Sequence, residues 1–259
     1  MSGLNQLALA LDHAALTRQA VAQLSDQQAD FDVETAYAVQ RLLVQQRLRR
    51  GARRVGMKMG FTSRAKMRQM GVDQMIWGRL TDDMRLDEGG ELALDRYVHP
   101  RAEPEIVFLL KKPLAGRVSA AEAMASVEAV AGGIEIIDSR YRDFRFHLAD
   151  VIADNASSSG FLVGPLQPAS TDVANLGIVM RVDGRVVQAG SSAAILGHPV
   201  RSLVAAARLA AEAGEPLQPG DLVLAGAATE AVALRAGMRV SAAFQSLGAV
   251  SFQVGGAES

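Results

Sequence analysis

The chain contains no cysteine. That absence removes disulfides, thiolate metal sites and a cysteine nucleophile together. Excess charge of one sign is missing too. The formal net charge is −1 and the isoelectric point is near 6.4, so nothing here draws in nucleic acid or an anionic lipid surface. No apolar run reaches the length that spans a bilayer. The opening MSGLNQLALALDHAAL carries Asp12 and His13 within its apolar pattern and has no basic stretch before it, unlike a secretory leader. A soluble, cytoplasmic protein is expected. The histidines (His13, His99, His147, His198) are scattered and match no metal-ligand spacing. No Gly-x-Ser-x-Gly elbow surrounds Ser157, Ser158 and Ser159. Internal repeats and low-complexity linkers are absent.

What remains is an ordinary globular composition. Over 259 residues, 49% are hydrophobic, enough for one large core, or one core with a helical appendage. The basic run RLRRGARR (Arg47–Arg54) reads as a helix end, where cations meet the negative pole of the dipole and Gly51 stops the helix. Apolar residues recur at helical spacing over 4–24 and 33–50, with Asp32 as N-cap of the second segment. From Val55 the period becomes that of a strand, Val55, Met57 and Met59 alternating with Gly56, Lys58 and Gly60. A short helix is predicted from Ser63 to Gly71. Strands follow at 76–80, 91–94 and 103–110. Ser119 and Glu122 form a capping box for a helix running to Gly132 and Gly133. Further expectations are a strand at Ile134–Ile137, a helix over 144–153, a polar loop over 155–160, and a two-residue hairpin turn at Asp183 and Gly184. Pro199 opens a last helix that Gly214 closes. Many short strands around a few helices indicate a mixed α+β fold with a curled, mostly antiparallel sheet. The expected division is a helical region over 1–54 and a catalytic mixed-β domain over 55–259, in one compact unit.

The segment Glu103-Pro104-Glu105-Ile-Val-Phe-Leu-Leu110 carries the chemistry. In a strand, Glu103 and Glu105 share a face with Val107 and Leu109, and Pro104 holds Glu103 extended. Glu135 lies among Ile134, Ile136 and Ile137. Two like charges about 4 Å apart repel by about 4 kcal/mol at an effective dielectric near 20. A hard divalent cation with oxygen ligands, Mg²⁺ or Mn²⁺, relieves that cost. The same spacing equally fits carboxylates on the solvent face of an edge strand, or paired with Arg101 and Arg140. Lys58, bracketed by glycines, is the second candidate: it either binds a carboxylate or developing enolate, or faces solvent. Gly226-Ala-Ala-Thr229 reads as a loop whose small residues could line a pocket.

These motifs occur together and in order: Gly56-Met-Lys58-Met-Gly-Phe-Thr62-Ser63, His99-Pro-Arg101-Ala-Glu103-Pro-Glu105, Gly133-Ile-Glu135-Ile-Ile-Asp138-Ser-Arg140-Tyr141, Asp154-Asn155-Ala156-Ser157 and Leu196-Gly-His-Pro199. Over roughly residues 30–255 the chain resembles the hydratase/decarboxylase branch of the fumarylacetoacetate hydrolase superfamily. The resemblance implies that family's curled β-sheet or barrel core behind an N-terminal helical layer. It also implies metal ligation by Glu103, Glu105 and Glu135 and a catalytic Lys58. Asp138 is a competing ligand by the same resemblance, but strand parity puts it on the face opposite Glu135. Substrate contacts are expected from Thr62, Ile76, Trp77, Arg140, Ser157 and Thr229, with Arg64 or Arg140 orienting a distal carboxylate. The related hydratases carry an aspartate where this chain has Ile76, so a group able to handle protons is missing there. The implied activity is therefore decarboxylation of 2-oxohex-3-enedioate to 2-hydroxypenta-2,4-dienoate. Hydration of 2-oxopent-4-enoate, hydrolysis of an acylpyruvate and a non-catalytic partner subunit are the alternatives. A homo-oligomer, and a complex with the hydratase of the same branch, are the implied assemblies.

Overall fold

A computed structural model describes residues 3–28, 30–63, 67 and 74–256. Two helices lead: α1 (Gly3–Thr17) and α2 (Val33–Arg49). The strands are β1 (Arg54–Gly60), β2 (Ile76–Thr81), β3 (Glu91–Ala93), β4 (Arg101–Leu110), β5 (Val127–Ile137), β6 (Ser158–Val163), β7 (Gln167–Pro168), β8 (Gly177–Val182), β9 (Arg185–Ser191), β10 (Leu222–Ala227), β11 (Val232–Ala233), β12 (Arg239–Phe244) and β13 (Gly248–Gly255). Between them stand α3 (Ala120–Ala125), α4 (Leu148–Ala153) and α5 (Pro199–Glu212).

An eight-stranded sheet runs β2-β1-β10-β4-β5-β6, with β11 added beside β4 and β7 beside β5. A five-stranded sheet runs β3-β13-β12-β8-β9. All pairings are antiparallel except β1 with β10 and β13 with β3. The main core lies between the two sheets, where Phe108, Ile106 and Ile134 meet Phe244, Val250 and Phe252. Gly132 permits the closest approach: a Cβ there would stand 2.3 Å from the Phe244 ring. A second core joins α1, α2 and α4 to Ile76 and Tyr141, so the helical layer packs on the large sheet through shared side chains. Gln40 ties the layers together, donating to the carbonyls of Trp77 and Ile152 at 3.0 and 2.7 Å. The basic run at the end of α2 is largely spent on ion pairs: Arg47 with Asp83, Arg50 with Asp12, Arg53 with Asp82 and Arg54 with Glu215.

Several boundaries differ from the sequence expectation, each for a tertiary reason. The first helix stops at Thr17 rather than continuing to residue 24, and Arg18 turns left-handed (φ 59°). The chain after it docks along the Tyr141 segment, Val21 N–H donating to Arg140 O at 2.8 Å. The Ser119–Glu122 capping box is present, but its helix ends at Ala125. Residues 127–137 instead form β5, because Val127 and Val130 complete the long pairing with β4. The helix expected over 144–153 is confined to 148–153, after Asp143 and Phe144 in left-handed conformation (φ 58° each). The expected loop over 155–160 is a tight turn, Asn155–Ser157, followed at once by buried β6. The Asp183–Gly184 hairpin turn appears as predicted, with φ of 50° and 78°. The short helix predicted from Ser63 to Gly71 falls mostly outside the described residues.

Candidate active site

Strand register brings the acidic residues together. Glu103 pairs with Glu135 across β4 and β5, and Glu105 pairs with Gly133. Directly opposed residues project to the same face of a sheet. All three carboxylates therefore project from one face, and one oxygen of each lies within 4.8 Å of the others. Glu105 and Glu135 are buried and Glu103 is half-buried. Lys58 reaches the same face from β1 through the chain of neighbours Lys58, Leu224 and Val107. Its ammonium lies 2.8 Å from Glu135 Oε2 and donates to Ala156 O at 3.0 Å.

The surroundings are arranged for negative charge. Ser158 donates its hydroxyl to Glu135 Oε1 at 2.9 Å. The backbone N–H of Gly226 donates to Glu105 Oε2 at 2.7 Å. That N–H is available because β10 breaks register between Leu224 and Ala227, with Gly226 at φ +105°. Burial, then the charge of Glu135, holds Glu105 well above the usual carboxylate range, although Lys58 and the Gly226 N–H counteract it. Burial also raises Glu135, against the opposing pull of Lys58. Burial alone would lower Lys58, but the fields of Glu135, Glu105 and Glu103 outweigh it and keep the ammonium charged.

This donor set fits a hard divalent cation. Glu105 Oε1 is buried with no hydrogen-bond partner among the described residues, an expensive state for a carboxylate oxygen unless a cation meets it. Among the described residues, no other group of three His, Asp or Glu side chains converges so closely. Asp138, the competing candidate, is turned away and accepts from the backbone N–H groups of Val98 and His99 at 2.9 and 2.8 Å.

A cavity of about 110 Å³ opens over this cluster. Lys58 and Glu103 contribute to its polar part together with Thr62, Ser63 and Ser157. Ile76, Ile137, Phe144, Phe146 and Val151 form an apolar wall. Ser157 is buried, left-handed (φ 58°), and its hydroxyl has no partner among the described residues.

Three residues expected to touch substrate are not among the described lining residues of this cavity. Trp77 points to the opposite face of β2 from Ile76, as strand alternation requires. It stacks on Tyr37 at 5.4 Å, with the Arg79 guanidinium 4.5 Å from its ring. Arg140 is buried and committed to Asp154, to the Asp154 carbonyl at 2.7 Å and to the Ser159 hydroxyl at 2.5 Å, and it is not part of the cavity lining. Thr229 donates to Glu230 O at 3.1 Å, also away from the lining. Arg64 lies outside the described residues. Sequence reasoning missed Ser158, Gly226, Phe144 and Phe146. Only Gly226 left a signal, as part of a small-residue run.

Comparison with known proteins places this geometry in context. The family described as "Fumarylacetoacetate (FAA) hydrolase C-terminal" matches residues 83–255. A 4-oxalocrotonate decarboxylase of Pseudomonas sp. is 60% identical, over 98% of each chain. The solved 4-oxalocrotonate decarboxylase from Pseudomonas putida G7, complexed with magnesium and adipate, superposes with a TM-score of 0.94 at 36% identity, over 97% of each chain. The 2-keto-4-pentenoate hydratase 1 of Dechloromonas aromatica (strain RCB) is 35% identical over 93% of each chain.

Proposed function

The chain belongs to the fumarylacetoacetate hydrolase family, and from that premise we propose that it decarboxylates 2-oxohex-3-enedioate (4-oxalocrotonate), leaving 2-hydroxypenta-2,4-dienoate. The observation that carries this reading is the convergence of half-buried Glu103 with buried Glu105 and Glu135 beside Lys58, under an apolar wall. The 60% identity to a decarboxylase along the whole chain supports it.

The three glutamates would hold Mg²⁺ or Mn²⁺, and a divalent ion there supplies Lewis-acid chemistry, drawing charge toward a keto oxygen. The remaining work belongs to the chain's own residues. When the C5–C6 bond of the substrate breaks, its electrons form the C4–C5 double bond. The C3–C4 double bond shifts to C2–C3, and negative charge collects on the C2 oxygen. Lys58, held as an ammonium by its acidic neighbours, stabilises that charge and can give the oxygen its proton. The Ser157 hydroxyl is free to bond a substrate oxygen, and Thr62 borders the same space. Ile76, Phe144, Phe146 and Val151 exclude water around the departing carboxylate, which loses its charge as CO₂. Ile76 offers no proton, which favours loss of CO₂ over addition of water across a double bond.

The product is a dienol of the kind a 2-oxopent-4-enoate hydratase takes up. A cytoplasmic homo-oligomer that associates with such a hydratase is the assembly this reading implies. The test is to offer purified protein 2-oxohex-3-enedioate and 2-oxopent-4-enoate separately, with Mg²⁺. CO₂ should evolve from the first and the second should remain unchanged; hydration of the second without decarboxylation of the first would replace this reading with the hydratase one.

A further inference from the structure

A six-carbon diacid needs a cation for its far end, and the described cavity lining offers only Lys58, which Glu135 already engages. Building on the substrate class proposed above, we infer that Arg101 captures and orients the distal carboxylate. Arg101 stands on β4 two residues before Glu103, so it shares the face that carries the acidic cluster. Its register partner is Ile137, itself part of the cavity wall. Two residues of strand span about 7 Å, a separation that an extended six-carbon chain can bridge from the glutamates.

Four further observations converge on the same spot. The Arg101 guanidinium lies 4.0 Å from the centroid of the Phe144 ring, and that ring lines the cavity. Among the described residues Arg101 makes no ion pair, so its planar fork of donors remains available to a carboxylate. Phe144 is held left-handed (φ 58°) directly after a left-handed Asp143, a conformation rare for a bulky residue and retained where the surroundings enforce it. His99, tilted against the same ring at 5.3 Å, has a buried Nε2 with no partner among the described residues. Phe144 is thus a platform in the cavity wall with the Arg101 guanidinium and the His99 imidazole packed against its ring.

A cation on the leaving carboxylate stabilises the bound substrate at least as much as the transition state. Arg101 therefore governs capture and selectivity more than the chemical step. The probes that isolate it are 2-oxohexanedioate and 2-oxohexanoate. They share the 2-oxo acid head and differ in the far carboxylate, and both lack the double bond that decarboxylation needs. Calorimetry with Mg²⁺ present should find the diacid bound about tenfold or more tightly by the unsubstituted protein, the range of a charge-assisted hydrogen bond. In Arg101→Met that preference should vanish while 2-oxohexanoate binds as before, which also shows that the variant is folded. Arg101→Lys should recover part of the preference. On 2-oxohex-3-enedioate, Arg101→Met should raise KM about tenfold and change kcat by less than about threefold. A diacid preference that survives in Arg101→Met, or one that is absent from the unsubstituted protein, overturns the assignment. Either binding result stands whether or not CO₂ is released, so it is separable from failure of the decarboxylase reading.

Discussion

At the scale of single residues, Lys58 and the three glutamates form one electrostatic unit. Lys58 sits 2.8 Å from Glu135 Oε2, so Lys58→Ala should cut kcat by about 100-fold or more, as loss of a group stabilising developing charge does. Calorimetric titration with Mg²⁺ should still show binding, because the oxygen donors remain. Unchanged turnover in that variant would remove Lys58 from the mechanism. The carboxylates predict a pH effect as well. Glu105 and Glu135 are raised by burial above their ordinary value of 4.5, so the metal-free native state holds their protons more tightly than the unfolded chain does. As pH rises through that value and beyond, ionising them costs the metal-free protein stability. The increment in Tm produced by saturating Mg²⁺ should therefore grow between about pH 5 and pH 8. A constant or shrinking increment would show that these carboxylates do not meet the ion. The glutamates were only candidates in sequence, because acids among aliphatic residues at strand spacing fit a solvent face as well as an internal cluster; the family resemblance is what favoured the cluster. The burial of Arg140 was not legible, because its partner Asp154 lies 14 positions further along the chain, at the end of α4.

At the scale of elements, the site depends on irregularities in otherwise regular strands. The break in β10 turns the Gly226 N–H toward Glu105. A Cβ at residue 226 would stand 2.0 Å from Thr62 Oγ1, with backbone at φ +105°. Gly226→Ala should thus cost about 1–3 kcal/mol of stability, measurable by denaturant unfolding, and should weaken Mg²⁺ binding in the folded protein. Wild-type stability and metal affinity in that variant would contradict the role given to the break. No sequence period signals such a break; only the small-residue run hinted at it. Other element boundaries were misread for a similar reason. Residues 127–133 were assigned to a helix because the capping box before them is strong, yet pairing with β4 overrides local preference. The place of Trp77 follows from alternation alone: the period that turns Ile76 toward the cavity turns its neighbour to the opposite, buried face of β2.

At the scale of the molecule, the helical layer helps build the site. Ile76 belongs both to the cavity wall and to the core shared with α1, α2 and α4. Leu11 is fully buried in that core. Leu11→Ala should lower stability by about 2–5 kcal/mol, read as a fall in Tm of roughly 4–20 °C for a chain of this size. A negligible shift would mean that the layer is only loosely attached. The α+β class and the helical start were legible in sequence, since they rest on periodicity. The closure of two sheets around one core was implied only by the family resemblance, because pairings such as β1 with β10 join residues more than 160 positions apart.

The central claim is that a divalent ion held by Glu103, Glu105 and Glu135 drives the loss of CO₂. Its most direct test is release of CO₂ from 2-oxohex-3-enedioate by protein stripped with EDTA and then titrated with Mg²⁺. The stripped protein should be inactive, and activity should return with Mg²⁺ in the unsubstituted chain but not in Glu105→Gln at the same ion concentration. Undiminished CO₂ release after stripping, or equal recovery by Glu105→Gln, would contradict the account.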